Sequence, residues 1–533
     1  MTMDMVLLAG TIHNDENPPA QALGISGERI SALGSRADAA RWSSADTQVV
    51  DLGDAVITAG LSDPHSHPLT GLEWTSGLDL GQVTDADGLA EVLTASCVAM
   101  DPDSWVLGWN LVPQVLGDVD DAAGFLDRVC VGRKVFLRLH DGGHSAYASR
   151  AALSYANVTG PVDLGPLAEV ECSEDGRPTG ALHEEAVDLV GNAVPQPPHS
   201  ERAAAARELL AAMAATGLTA THALDFSEHH LDVLRALDDQ DELPLFYRCS
   251  PVCEPRHTEA ERLQFVEWLK LGGKRWQVEG IKFYLDGTID NGTAWLKAPD
   301  CYGAGTTSTW HDLGAYRDAV SFFAAQGIPT ATHAIGDAAV EYALDVLGPV
   351  VATSSAAHRV EHVETLSSEQ AARFADTGVI ASMQPCHCSH FLTVDHSDVW
   401  SQRLGRDRAL RAFPQRAILA AGGQLALGSD WPIGPFDPRE IMASACLRRP
   451  PGQPDSPPIA ADQAVTPREA LRAYTRVPAV IGGREADEGS VAVGKFATLT
   501  VFASDPLAVT PEQLAGIPIV GTLVRGKFEH RAY

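Results

Sequence analysis

The sequence predicts an α/β chain built on a (β/α)8 barrel. Three observations point there. Short apolar segments alternate with helical patterns through the middle of the 533 residues. Eight of those segments close on polar residues, and both chain ends carry strand-like runs. Strand–helix alternation argues for a parallel sheet wrapped by helices, and eight units are what a barrel needs.

The first 58 or so residues read as strands at Met5–Leu8, Ala22–Ser26, Arg29–Leu33 and Gln48–Leu52. Strand character returns at Thr498–Phe502, Ile517–Val524 and Lys527–His530. The eight central strands are expected at Ala55–Ala59, Leu218–His222, Leu243–Cys249, Val278–Leu285, Ile328–His333, Arg359–His362, Val379–Gln384 and Gln424–Gly428. Helical patterns fall at Ala204–Ala215, Glu259–Leu271, Asp312–Gln326, Ala338–Leu347 and Ser368–Thr377. The gap of about 150 residues after the first strand far exceeds an ordinary βα connection. It implies an inserted subdomain at about 70–215, with a strand-like run of its own at Lys134–Leu139. The Pro-rich stretch Arg448–Pro458 reads as an exposed loop.

Val56-Ile57-Thr58-Ala59-Gly60-Leu61-Ser62-Asp63-Pro64-His65-Ser66-His67 ends an apolar stretch on two histidines at spacing two. Side chains alternate along an extended chain, so His65 and His67 point to one side and can grip one metal ion. An HxH alone is weak evidence. A barrel, however, gathers its chemistry at the C-terminal ends of its strands, and those ends supply Lys282, His333, His362 and Asp430 as well. Imidazole and carboxylate suit Zn²⁺ or a similar divalent ion, one or two per chain, with positions left for water and substrate. Lys282 either pairs with Asp286 or adds CO₂ to become a carbamate, a bridging carboxylate equivalent. Asp430 suits proton transfer.

His144 lies in a Gly-Gly-His turn of the insertion and is expected to reach the barrel mouth and contact substrate. His387 follows the seventh strand and is expected to hydrogen-bond a substrate carbonyl or oxyanion. Cys386-His387-Cys388-Ser389-His390 has the residue types of a zinc knot but lacks a second CxxC. Trp431 is expected to line the pocket. Trp109, Trp295 and Tyr302 hint, with Trp431, at an apolar substrate group.

These motifs together resemble the amidohydrolase superfamily, and within it the large-insertion branch of YtcJ-like and N-substituted formamide deformylase-like proteins. The resemblance spans nearly the whole chain. It is carried by the HxH and by Ile281–Thr288, Thr332–Val340, His358–Glu364, Met383–His387 and Gly428–Pro432. It is also carried by Asp141-Gly142-Gly143-His144-Ser145-Ala146, Gly176–Gly180 and the terminal Glu488–Lys495. It implies a distorted TIM barrel, residues 59–480, with a β-sandwich made from residues 1–58 and 481–533. It implies that His65, His67 and Asp430 hold the more buried ion. His333 and His362 would hold a second, bridged by carboxylated Lys282. The reaction implied is hydrolysis of a non-peptide amide, an N-substituted formamide or similar, by a metal-activated hydroxide, with Asp430 as general base and then acid. A deaminase or cyclic amide or amidine hydrolase is the alternative, and a non-catalytic scaffold relative the remote one. Thr498 departs from the branch's usual Asp, at a sandwich position.

Composition narrows the partners. The net charge of −31 and the lack of any Lys/Arg block argue against nucleic acid or an anionic membrane. No apolar run approaches the ~18 residues of a membrane span. The N-terminus reads as a strand and not as a signal peptide. Nine scattered cysteines suggest reduced thiols in a cytoplasm. A small-molecule amide is the expected partner, with a homodimer as the expected assembly.

Overall fold

A computed structural model describes residues 3–14, 19–117, 119–140, 143–165 and 167–532. Strands from both chain ends share one eight-stranded sheet. Met5–Ile12 is its pivot, pairing antiparallel with Ala20–Ser26 and parallel with both Gln48–Asp51 and Val56–Ala59. Leu499–Phe502 joins antiparallel to Val56–Ala59, and Ile519–Val524 and Lys527–Arg531 lie outward of it. Leu7, Ile25, Ile57, Val501 and Leu523 are buried together in its core. The two ends thus form one continuous ladder and not two separately hydrogen-bonded sheets.

This topology corrects the expected first barrel strand. Val56–Ala59 belongs to the chain-end sheet, and the strand that enters the barrel is Leu61–Ser66. All four residues of Val56–Ala59 are buried, so their pattern carries no clue to which sheet they join. Gly60 marks the crossing. A Cβ there would lie 2.4 Å from Thr219 Oγ1 and 2.9 Å from Thr498 Cγ2.

The barrel strands form two parallel sheets. Leu61–Ser66, Leu218–Phe226, Phe246–Pro251 and Trp276–Val278 make one. Ile281–Tyr284, Thr330–Ala334, Arg359–His362, Ile380–Met383 and Leu425–Leu427 make the other. The expected fourth strand, Val278–Leu285, is therefore split. Gly280 breaks it at φ +76°, and a lone bridge from Val252 to Lys282 spans the break. At the opposite seam the last strand meets the first through Asp430 N donating to His65 O at 2.8 Å. Pro64 has no N–H for a ladder there, and Asp63 Oδ1 accepts from His65 N and Ser429 N instead. Among the described residues no continuous ladder closes the ring.

The expected helices are present at His199–Ala215, Glu259–Trp268, Leu313–Ala324, Asp337–Val351 and Ser368–Thr377. A further helix, Glu228–Asp239, fills the connection between the second and third barrel strands. The last of the expected helices shows why the local sequence folds so. Ser367 and Gln370 form a capping box at its start, and Gly378 ends it at φ +73°, a conformation glycine adopts without penalty.

The insertion folds around its own six-stranded sheet, from Leu78–Asp79 to Pro178–His183. Leu89, Leu93, Val106, Leu126 and Leu137 are buried in one of its cores. The Pro-rich stretch begins less exposed than expected. Arg448 is buried and donates to the backbone oxygens of Ile459 and Ala412, so the loop starts only beyond it. No described helix is long and apolar enough to cross a membrane, and all nine cysteines are free thiols.

Candidate metal centre

His65 lies in the first barrel strand, and His67 caps the start of helix Pro68–Trp74. Their side chains converge as the spacing requires. His65 Nε2 and His67 Nε2 stand 3.2 and 3.0 Å from Asp430 Oδ1. The other ring nitrogens are anchored. His65 Nδ1 donates to Glu361 Oε2 at 2.8 Å, and His67 Nδ1 to Asp225 Oδ2 at 2.9 Å. A carboxylate on Nδ1 fixes the tautomer and presents Nε2 as the ligand atom.

Asp430 has a second group of neighbours. His362 Nδ1 and His387 Nε2 lie 3.9 and 3.7 Å from Asp430 Oδ2. His65, His67 and Asp430, and likewise His362, His387 and Asp430, form buried groups whose donor atoms lie within 4.8 Å of one another. His362 and Asp430 adopt left-handed backbone at φ +73° and +54°. Non-glycine residues avoid that region unless the surroundings hold them there.

His333 sits beside this cluster, its ring centroid 4.3 Å from that of His362. Its Nε2 donates to Gly287 O at 3.2 Å, which leaves Nδ1 as its ligand atom. Neither of the compact donor groups includes it. Lys282 is fully buried and its Nζ has no hydrogen-bond partner. The alternative ion pair with Asp286 is not formed. Asp286 instead accepts from the backbone N–H groups of Trp295, Ile335 and Gly336 at 2.9, 3.0 and 2.9 Å.

Electrostatics separate the groups. Burial pushes the Lys282 ammonium down to about 8, against the pull of Glu361 and Asp430. Burial likewise holds His333 and His362 well below the usual imidazole range and brings His387 to about 4. Burial alone would raise the Asp430 carboxyl, but the imidazoles of His65, His67 and His362 outweigh it and hold it far below the ordinary range. For His67 burial favours the neutral ring, yet Asp225 and Asp430 prevail and push it up to about 9.

The residues fit a divalent metal. His362 Nδ1, His387 Nε2 and Lys282 Nζ are buried without hydrogen-bond partners, as groups awaiting an ion or its ligands would be.

These groups floor a cavity of ≈ 670 Å³. Trp74, Tyr284, Phe391, Trp400 and Phe413 supply its aromatic surface. His144 also lines it, so the insertion does reach the barrel mouth. Asp141 and Gly142, which precede this turn, lie outside the described residues. Trp431 is not among the lining residues. It packs under helix Pro68–Trp74, where a Cβ on Gly71 would lie 2.3 Å from its ring, and beside Phe436. Trp109, Trp295 and Tyr302 are absent from the cavity lining too, and Tyr302 is exposed. Cys386 and Cys388 are buried in the main core and join no donor group, which leaves the zinc knot without its sulfur ligands.

With this geometry in view, the sequence profile of the amidohydrolase family matches residues 48–529. The chain belongs to the amidohydrolase family. This amidohydrolase is 28% identical over 501 residues to YtcJ of Bacillus subtilis (strain 168), a protein named as an amidohydrolase, covering 91% of each chain. It is 27% identical over 530 residues to the N-substituted formamide deformylase of Arthrobacter pascens, covering 96% of this chain and 95% of that one. Its fold resembles that of a metal-dependent hydrolase from Pyrococcus horikoshii OT3, with a TM-score of 0.73, 21% identity, and coverage of 95% and 99% of the two chains. Family membership makes it a hydrolytic enzyme acting on carbon–nitrogen bonds.

Sequence reasoning missed Glu361 and Asp225, which orient the two histidines. Glu361 had a signal, a carboxylate next to His362 on one strand. Asp225 had only its place near the end of the second barrel strand.

Proposed function

We propose that this amidohydrolase cleaves the C–N bond of a small, uncharged N-substituted amide, a formamide or similar. The convergence of two carboxylate-anchored imidazoles on Asp430 carries the reading. His65, His67 and Asp430 would hold one divalent ion such as Zn²⁺. His362 and His333 would hold a second, with Lys282 as a carbamate between them. An amine pushed down to about 8 has a substantial neutral fraction with which to add CO₂. When bound, such an ion polarises a carbonyl and lowers the pKa of water from 15.7 to about 7.

The residues supply the remaining chemistry. Asp430, ionised among its imidazoles, accepts the proton of the attacking water. His387, neutral and buried, donates a hydrogen bond to the substrate carbonyl. The cavity lining supports an uncharged substrate. Lys282 is its one Lys or Arg among the described residues, whereas Asp225, Asp290, Asp398 and Asp430 all face it.

The test is metal content per chain together with turnover on two substrate panels, N-substituted formamides and amidines or amino-heterocycles. Near two ions and amine release from a formamide support the reading. One ion and ammonia release only from the second panel would replace it with a deaminase.

A further inference from the structure

The insertion does more than border the cavity. His144 Nδ1 donates to Glu184 Oε2 at 2.6 Å, and Glu184 N donates back to His144 O at 2.6 Å. The other carboxylate oxygen, Oε1, accepts from Thr293 Oγ1 at 2.8 Å. Thr293 belongs to the loop after the fourth barrel strand, and Thr288, Asp290 and Asn291 of that loop line the cavity. Glu184 therefore ties the insertion to the barrel at the substrate site.

The joint is tightly built. Glu184 adopts left-handed backbone at φ +51°, which a side chain with a Cβ accepts only when held there. A Cβ on Gly287 would come within 2.6 Å of Glu184 Oε1. The pair is mostly buried, at 18% side-chain exposure for His144 and 11% for Glu184. The His144 ring centroid stands 6.2 Å from that of His333, one ring beyond the metal-binding cluster.

We propose that His144 is the proton donor to the leaving nitrogen and that Glu184 is its positioning residue. Glu184 orients the ring through Nδ1, and the ring lines the cavity in which the substrate would lie. This deepens the amide reading and rests on it. Both oxygens of Asp430 stand among the four imidazoles of the cluster, at 3.0–3.9 Å, whereas His144 lines the cavity and belongs to neither donor group. In the step itself the C–N bond breaks and its electron pair goes to nitrogen. The Nε2–H bond breaks as an N–H bond forms, so the product leaves as a neutral amine. Asp430 has meanwhile taken a proton from the attacking water, and through solvent that proton restores the imidazolium.

Two amide series with one acyl group test this, one of alkylamides and one of nitroanilides. A nitroaniline leaves with little help from an acid, an alkylamine does not. His144→Ala is expected to lower kcat on alkylamides about 100-fold or more while costing far less on nitroanilides. Glu184→Gln, which keeps the contact to Thr293, is expected to show the same leaving-group dependence with a loss of about 10- to 100-fold and little change in KM. Equal losses on both series, in variants whose melting temperature matches wild type, would overturn the proposal and leave the amide reading standing. A wild type that cleaves neither series would overturn both.

Discussion

Glu361 accepts a hydrogen bond from His65 Nδ1 at 2.8 Å across 296 residues of sequence. It simultaneously receives the Arg359 guanidinium, which together with His65 holds its carboxyl far below the ordinary range although burial opposes this. Glu361 is thus a permanent anion behind a candidate metal ligand. Glu361→Gln is expected to weaken metal binding about 10- to 100-fold while the protein stays folded. Titration of the metal-free protein with Zn²⁺ measures this, and unchanged affinity would remove Glu361 from the site.

His67 makes the centre sensitive to pH. In the metal-free protein its pKa of about 9, against 6.5 in the unfolded chain, means the folded state binds the proton more tightly. That stabilisation is complete below pH 6.5 and is lost as pH rises through about 9. Melting temperature in chelator should therefore fall between pH 7 and 9.5, by the equivalent of about 2 kcal/mol. An ion must displace this proton. Metal uptake at pH 7 should acidify an unbuffered solution, and no proton release would contradict the arrangement.

The cavity should reject anionic substrates. An amide whose variable group carries a carboxylate would face Asp290 and Asp398, and among the described residues only Lys282, with no Arg, is there to receive it; burial pushes the Glu364 carboxyl up to about 8, so it adds no charge at neutral pH. Like charges in apposition cost several kcal/mol. We expect kcat/KM for such a substrate to fall at least about tenfold below that of its methyl ester, measured at fixed ionic strength. Equal values would mean the acidic wall does not contact the substrate.

Gly336 holds the loop beneath the site. Its φ of −73° suits any residue, but a Cβ would lie 2.1 Å from Trp295 O. Its N–H also serves Asp286. Gly336→Ala should lower stability by about 1–3 kcal/mol and displace His333, whose Nε2 lies 3.6 Å from Asp286. Chemical denaturation at constant m-value checks the first effect.

The sequence by itself determined the strand–helix alternation, the long insertion and the residue types at the strand ends. These arise from local periodicity and from spacings of a few residues, as in His65 and His67. Only the tertiary structure decided the rest. It sent Val56–Ala59 to the chain-end sheet, because a strand buried on both faces has no pattern to say which sheet buries it. It split the fourth barrel strand at Gly280, and it turned Trp431 under helix Pro68–Trp74. It also brought Asp225 to His67, Glu361 to His65 and Glu184 to His144. Those carboxylates lie 158, 296 and 40 residues from their histidines, and the chain's closure around one cavity is what makes them neighbours.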